Sequence, residues 1–275
     1  KWACVEMLQS GTTTFFDILE APNSLPGSLL IERDIVNESG LRGILSFEAT
    51  ERSGDQIAKL GIQENLALHE AAKDDELVSA MMCLHTTFTC SKDYITQAAK
   101  LAKEYGLGLH VHCNEGMHEG IWCEENHSKR PLELYEDLEV TNPSFLASQC
   151  VHLSDKEMEI IARNEVKVTH MPLANCEVGG GIAPIPELLE AGATIGLGSD
   201  GYINDFYEDT AERFWDPELG PVGRDIHTLP LIDNNLNGSF LEYGFGSASF
   251  LFQVAKTKNF DSVIGVDISN SVIEK

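Results

Sequence analysis

The amino-acid sequence predicts an α/β protein: an incomplete TIM-like (β/α)8 barrel that lacks its first strand, followed by a partial Rossmann-like βαβ segment. Three observations predict this fold: apolar, β-rich runs that alternate with helical patterns, polar residues at the ends of those runs, and a change of pattern after residue 204. Such alternation is typical of parallel strands joined by crossover helices. The predicted strands are Thr12–Asp17, Leu41–Phe47, Val78–His85, Leu107–His112, Phe145–His152, Val166–His170 and Thr194–Gly198.

Helical spacing is found between several of these strands, over Ser91–Tyr105, Ser154–Asn164 and Pro184–Ala191. The second of these segments begins with a capping signal and the third has a proline near its first turn. Seven strand–helix units fit before residue 204, whereas a (β/α)8 barrel needs eight. We expect the first unit to be the missing one, because Lys1 already lies in helix-like sequence.

Composition excludes several classes of function. The 275 residues, 43% of them hydrophobic, are enough for a sizeable core. The 44 acidic and 19 basic residues give a net charge of -25, which repels nucleic acids and anionic membranes. No apolar run reaches the roughly 18 to 20 residues of a membrane span, and no signal peptide is recognisable. We therefore expect a cytoplasmic protein that binds neither nucleic acid nor membrane.

The seven cysteines predict neither a disulfide framework nor a structural zinc site. No two of them form a Cys-x-x-Cys pair, and their number is odd. We expect most of them to be buried thiols.

Polar residues that can bind a metal ion or carry a proton recur at the predicted strand ends. In barrels of this kind the functional groups lie at the C-terminal ends of the strands. Any one of these residues, taken alone, is equally well explained as a buried histidine with a backbone partner or as an aspartate that caps the next helix. Six of them in register favour a functional site. They are Asp17, His85, His112, His152, His170 and Asp200.

Five segments carry a family resemblance. They are Gly11–Thr14 with Asp17, the His-x-His-x-x-Glu sequence at His110–Glu115, Cys150–Ser154, the run from His170 through Asn175 and Gly179 to Pro184, and Gly198–Gly201. In this order and spacing they resemble the amidohydrolase superfamily. The branch they are most similar to contains guanine deaminase, S-adenosylhomocysteine deaminase, triazine hydrolases and the SsnA-type aminohydrolases. The resemblance covers residues 1 to about 205.

The resemblance implies a mononuclear zinc or iron site with His112 and Asp200 as ligands. Asp200 would also accept a proton from the attacking water, and Glu115 would carry that proton to the leaving amine. A divalent ion supports this chemistry because it lowers the pKa of a bound water toward about 7. The alternative is that Glu115 is an exposed loop acid and Asp200 a turn residue before a glycine.

Other residues of the matching segments are candidates for substrate binding. They are His85, His152, His170 and Asn175, the last in a glycine-rich loop that would border a planar heterocycle. His110 is two residues before His112 and so on the same side of a strand, but in the family it is the second histidine that binds the metal. We expect His110 to be structural.

The sequence departs from the family pattern at two places within the barrel. The family's first strand ends in a His-x-His pair that supplies two metal ligands, and this strand would lie before Lys1. The sixth strand normally ends in a histidine that orients or activates the water, whereas this chain has Gln149 there. Glutamine can form hydrogen bonds but cannot act as a base. His152 would lie about 10 Å further along an extended strand, too far to substitute without rearrangement.

The sequence after residue 204 departs from the barrel pattern altogether. It contains a strand with a glycine turn, Phe240–Ala248, and a second strand that ends in an acid, Val263–Ser269. These segments resemble the opening βαβ unit of class I S-adenosylmethionine-dependent methyltransferases. The resemblance implies cofactor-binding roles for Glu242, Gly244, Gly246 and Asp267.

The sequence thus predicts two domains, an N-terminally truncated amidohydrolase-like barrel at 1–204 and a partial methyltransferase-like segment at 205–275. The predicted function is metal-dependent hydrolysis of a carbon–nitrogen bond, namely deamination of a purine, pyrimidine or related heterocycle. Two alternatives remain, a fragment that binds S-adenosylmethionine and an inactive fused fragment. The expected partner is a small heterocyclic substrate, and a homo-oligomer would cover the open edge of the barrel.

Overall fold

The computed structural model of the protein describes residues 1–201, 239–243 and 262–266. The chain divides into two compact units, Lys1–Tyr202 and Ile203–Lys275. The first unit contains one large parallel sheet and all of the described helices.

The first unit is built on eight parallel strands. Hydrogen bonding places them in the order β1-β2-β4-β5-β6-β7-β8, and the short β3 also pairs with β2. Among residues 1–201 each of β1 and β8 pairs with a single neighbour, so the described sheet is an open arc, a partial TIM-like barrel, as the sequence predicts. The strands are β1 (Thr14–Leu19), β2 (Arg42–Ala49), β3 (Val78–Ala80), β4 (Met82–Leu84), β5 (Leu109–Cys113), β6 (Phe145–Gln149), β7 (Lys167–His170) and β8 (Thr194–Leu197).

Helices connect the strands, as parallel pairing requires. Their ends are set by local sequence: Ser154 Oγ accepts a hydrogen bond from Glu157 N, and the Glu157 carboxylate accepts one from Ser154 N, which confirms the predicted capping signal. Such a cap stabilises a helix by about 1 kcal/mol. The helices are α1 (Trp2–Gln9), α2 (Ser28–Ser39), α3 (Asp55–Ala71), α4 (Lys92–Tyr105), α5 (Met117–His127), α6 (Pro131–Asp137), α7 (Asp155–Arg163), α8 (Pro172–Glu177) and α9 (Ile185–Glu190).

Two groups of buried apolar side chains hold the helices on the sheet. One lies around β4 to β7 and includes Ile95, Val111 and Tyr135. The other lies around β1 to β3 and includes Leu29 and Phe47. Each fully buried side chain of this size contributes about 1.5–3 kcal/mol. The packing therefore fixes the strands, and with them the residues at their C-terminal ends.

Two predicted strands end or break earlier than expected. Val78–His85 is two short strands rather than one, because Met81 N donates to Leu45 O of β2 whereas Met82 N donates to Gly108 O beside β5. Phe145–His152 ends at Gln149, where the backbone takes a φ of 79° and cannot continue as a strand. His152 therefore lies in the following loop.

The second unit contributes two described strands, β9 (Ser239–Tyr243) and β10 (Ser262–Val266), which pair in parallel. They coincide with the two strands of the methyltransferase resemblance. The positions predicted to bind S-adenosylmethionine are not tested, because Gly244, Gly246 and Asp267 lie outside the described residues and only the backbone of Glu242 is described. That site stays a prediction.

In the described part of the chain, no helix has both the length and the apolar character that crossing a lipid bilayer demands.

Gly108, just before β5, tests the packing of the sheet. A Cβ atom at this position would lie 2.7 Å from Met81 Cε and 2.9 Å from the backbone oxygen of Ser144. Because a backbone oxygen cannot move aside cheaply, we expect Gly108→Ala to lower the free energy of unfolding by about 1–3 kcal/mol in chemical denaturation. Gly116→Ala is the matched control, since its Cβ would meet nothing within 4 Å. Equal stability of the two variants would contradict this packing.

Candidate active site at the carboxyl ends of the strands

The C-terminal ends of the central strands surround a small cavity of about 90 Å³. His85 follows β4, His112 lies near the end of β5, and Glu115 lies in the loop after β5. All three line the cavity, together with Glu119 and His118 of α5. The structure thus brings together three of the residues that the sequence singles out.

His112 is the central side chain of this group. Its ring lies 5.0 Å from the ring of His85, measured between centroids, and its Nδ1 lies 3.7 Å from Glu48 Oε2 of β2. This nitrogen is buried and has no hydrogen-bond partner among the described residues. Burial lowers the pKa of His112, and the negative charge of Asp200 offsets only part of this effect. The imidazole is therefore neutral at pH 7. A neutral imidazole is the form that binds a metal ion.

His85 is also held neutral. Burial, helped by the neighbouring His112 and Arg52, lowers the pKa of His85 to about 3. Its Nδ1 lies 3.2 Å from Thr89 Oγ1, a contact that orients the ring.

The pKa of Glu115 is raised, whereas those of the two histidines are lowered. Burial raises the pKa of its carboxyl group, and the negative charges of Asp200 and Glu119 raise it further. A raised pKa makes this carboxylate a stronger proton acceptor than an ordinary glutamate.

A chain of hydrogen bonds holds Asp200 through Gln149. Asn175 Nδ2 donates to Gln149 Oε1 at 2.6 Å, and Gln149 Nε2 donates to Asp200 Oδ2 at 2.8 Å. Asn175 and Gln149 are fully buried, whereas Asp200 is exposed and also accepts a hydrogen bond from Gly201 N. Gln149, a departure from the family pattern, therefore connects two residues of the predicted site.

The remaining predicted site residues are spread along the same edge of the sheet. His170 is the last residue of β7 and is buried, with no partner for Nδ1 among the described residues. His152 lies beyond β6, where its backbone nitrogen donates to Asn114 O at 2.9 Å. Neither lines the cavity around His112. His110 is buried and hydrogen-bonded to Ser148 Oγ.

Sequence analysis missed two acidic residues of the site. Glu48 is the penultimate residue of β2 and is 5% exposed. Burial raises the pKa of Glu48 to about 7, although the positive charge of the nearby Arg52 lowers it. The search for polar residues at strand ends would have found Glu48 if the predicted strand had not ended at Phe47. Glu119 is buried in α5, and nothing in the sequence distinguishes it from the other acids of that helix.

Asp17, which the sequence places at the end of β1, instead lies inside that strand, beside Glu32 of α2. Burial and the nearby Asp17 raise the pKa of Glu32 from 4.5 to about 9, and burial raises that of Asp17. The two carboxyl groups share a site in which both cannot ionise without a large cost. This pair is apart from the His112 cavity, whose lining does not include it.

Fold and site together define a partial α/β barrel whose histidines and carboxylates converge at the C-terminal ends of its strands. The sequence matches the model of the amidohydrolase family over residues 1–220, and the chain belongs to that family. A 5'-deoxyadenosine deaminase from Methanobrevibacter smithii is 34% identical over 199 residues, which are 72% of this chain and 44% of the relative. A 5-methylthioadenosine/S-adenosylhomocysteine deaminase from Desulforamulus reducens is 32% identical over 211 residues, 77% of this chain and 47% of the relative. The chain thus spans less than half the length of these curated relatives.

Solved structures show the same fold. An adenosine deaminase from Xanthomonas campestris with bound zinc superimposes with a TM-score of 0.66 at 22% identity, covering 76% of this chain and 47% of the other. A guanine deaminase from C. acetobutylicum with bound guanine gives 0.64 at 20% identity, covering 72% and 48%. This likeness confirms the predicted partial barrel.

The Asp17–Glu32 pair predicts a pH-dependent stability. The carboxyl group of Glu32 has a pKa of about 9 in the folded chain and of 4.5 in the unfolded chain. Between these two pH values the folded chain therefore binds more protons than the unfolded chain. The contribution of this carboxyl group is therefore fully present below pH 4.5 and is lost as the pH rises toward 9. We expect Glu32→Gln to gain stability relative to the unsubstituted chain between pH 5 and pH 9, in urea unfolding curves at several pH values. Asp34→Asn, an exposed neighbour on α2, is the control. A pH-independent difference for Glu32→Gln would refute the shared proton.

Proposed function

We propose that the protein is a metal-dependent aminohydrolase that deaminates a purine, pyrimidine or related heterocycle. The observation that carries the proposal is a neutral His112, whose Nδ1 is buried, in one cavity with Glu115, whose carboxyl pKa is raised. A metal ligand and a proton carrier are the two groups that hydrolytic removal of an amine needs.

The residues present suit a divalent ion such as zinc or iron. His112 offers a buried ring nitrogen without a hydrogen-bond partner among the described residues, and Asp200 offers a carboxylate. Imidazole and carboxylate are donors that zinc and ferrous iron accept. We propose both residues as ligands. When bound, the ion would lower the pKa of a water and polarise the carbon under attack.

The chain's own residues would manage the proton. Asp200 accepts it from the attacking water, since one of its oxygens is oriented by Gln149 and the other by Gly201 N. Glu115 then carries it to the departing amine, a role that suits a carboxyl group with a raised pKa. Gln149 orients Asp200 but takes no proton itself.

Substrate binding is assigned to the residues around this centre. His85 lines the cavity with a neutral ring that can donate or accept a hydrogen bond. His170 and Asn175 each keep a buried polar atom without a partner in the described part of the chain, available to a ligand. His152 lies in the neighbouring loop. We propose these four as substrate-binding residues.

The relatives narrow the substrate class. They are named for deamination of 5'-deoxyadenosine, 5-methylthioadenosine and S-adenosylhomocysteine, so we propose an adenine nucleoside as the first substrate to try. Such a substrate fits the cytosolic location that the sequence predicts.

Ammonia release from 5'-deoxyadenosine, 5-methylthioadenosine and guanine, with zinc supplied, tests the proposal. We expect turnover by the full chain and a loss of about 10²- to 10⁴-fold in kcat for Glu115→Gln, which removes a proton carrier but keeps the shape. Glu125→Gln on the exposed side of α5 is the matched control and should leave kcat unchanged. Release of ammonia from none of these compounds by folded, zinc-supplied protein would count against the proposal and favour an inactive fragment.

A further inference from the structure

A second cavity lies beside the His112 cavity, between the loops that follow β2 and β4 and the helix α5. Its volume is about 490 Å³, against about 90 Å³ for the His112 cavity. Phe88, in the loop after β4, lines both cavities. The residues that define the second cavity include Glu51, Arg52, Phe88, Lys92, Trp122 and His127.

The two volumes indicate how a substrate would be divided between the cavities. Pockets that hold a whole small-molecule ligand usually measure about 300–1,000 Å³. The His112 cavity is well below this range, whereas the second cavity lies inside it. A substrate whose amine lies at His112 can therefore extend a large substituent past Phe88 into the second cavity.

A row of aromatic rings leads from one cavity to the other. The ring of Phe88 lies 5.2 Å from that of His118, which lines the His112 cavity, and 6.4 Å from that of Trp122, which lines the second. The ring of His127 lies 5.3 Å beyond Trp122. All three contacts are edge-to-face, so the rings hold one another in place. Half-buried rings of this kind offer a wall for an apolar segment of a ligand.

The charged side chains of the second cavity are mostly cations, although acidic residues outnumber basic ones by 44 to 19 in the chain. The cations are Arg52 and Lys92, and the acid is Glu51. One oxygen of Glu51 accepts a hydrogen bond from the backbone nitrogen of Ser91, which holds this carboxylate. The lining as a whole thus favours a negatively charged ligand group.

Lys92 is the cation that remains free for a ligand. Arg52 is bound to Glu48 and Glu20, which compensate its charge, whereas Lys92 forms no ion pair within residues 1–201. Burial lowers the pKa of His127, and the positive charge of Lys92 lowers it further, so this imidazole is neutral at pH 7. An ammonium group and a neighbouring imidazole N–H are donors that suit a carboxylate or a phosphate.

We propose that the second cavity binds a substituent of the substrate that has an apolar segment and a negatively charged end group, a carboxylate or a phosphate. The apolar segment lies against Phe88 and Trp122, and the end group accepts hydrogen bonds from Lys92 and His127. The proposal rests on the proposed function, since the amine of the same substrate lies at His112. It selects heterocyclic amines with a large anionic substituent over free bases and neutral nucleosides.

Calorimetric titration of the full chain after removal of bound metal tests the cavity, because binding is then measured without turnover. The ligands are 5-methylthioadenosine, which ends in a neutral group, S-adenosylhomocysteine, which carries a carboxylate, and adenosine monophosphate, which carries a phosphate. We expect at least one charged ligand to bind about tenfold more tightly than the neutral one, as hydrogen bonds to a charged group allow. Lys92→Gln should remove this advantage and leave the affinity for 5-methylthioadenosine unchanged. The ligand that depends on Lys92 identifies the end group.

Lys100→Gln is the matched control, since Lys100 is exposed on the same helix, does not line either cavity, and its substitution changes the net charge equally. It should bind all three ligands as the unsubstituted chain does. Trp122, one of three tryptophans in the chain, gives a second signature. Ligand binding should quench part of the fluorescence, and Trp122→Phe should abolish this quenching while its ring keeps the calorimetric affinity within about threefold.

Several results would overturn the proposal: no binding of the three ligands, equal affinity for neutral and charged ligands, equal behaviour of Lys92→Gln and Lys100→Gln, or quenching that persists in Trp122→Phe. Ammonia release by the zinc-supplied chain without any dependence on Lys92 would leave the proposed function standing and remove this role of the cavity. Binding that depends on Lys92, without ammonia release from any substrate, would support the cavity and contradict the proposed function.

Discussion

One buried carboxylate determines where the site residues lie. Glu119 of α5 accepts hydrogen bonds from Thr86 Oγ1, Thr87 Oγ1 and the backbone nitrogen of Asn114. These partners belong to the loops that carry His85 and Glu115. Burial raises the pKa of Glu119, and the hydrogen bonds counteract that effect. An unsatisfied carboxylate at full burial would cost several kcal/mol, so the two loops are locked to α5 and to each other.

The sequence predicted the barrel well because its strands are short apolar runs with clear helical spacing between them. The failures have local causes. Val78–His85 breaks at Met81 because the chain changes pairing partner there, which no propensity shows. Glu48 was missed because the strand extends beyond Phe47. The contact of Gln149 with Asp200, across 51 residues, depends on the positions of β6 and β8 in the folded sheet and has no signal in the sequence.

Gln149 keeps the hydrogen bonds at the end of β6 but cannot transfer a proton there. Its amide has one accepting and one donating end, so it bonds Asn175 and Asp200 in a fixed direction. A histidine, usual there in the family that the sequence resembles, could exchange a proton with the same carboxylate. In this chain Gln149 therefore keeps Asp200 and Asn175 aligned, but its amide cannot exchange a proton with the carboxylate.

The backbone at the strand ends adds a constraint of a different kind. Asn114, Gln149, Cys150 and Asp200 all have φ between 50° and 79°, a region that few side chains other than asparagine, aspartate and histidine occupy readily. The backbone conformation thus restricts which amino acids these positions accept, in addition to any requirement of the site. At position 149, where φ is 79°, a β-branched residue is consequently disfavoured on conformational grounds alone, apart from any role of its side chain.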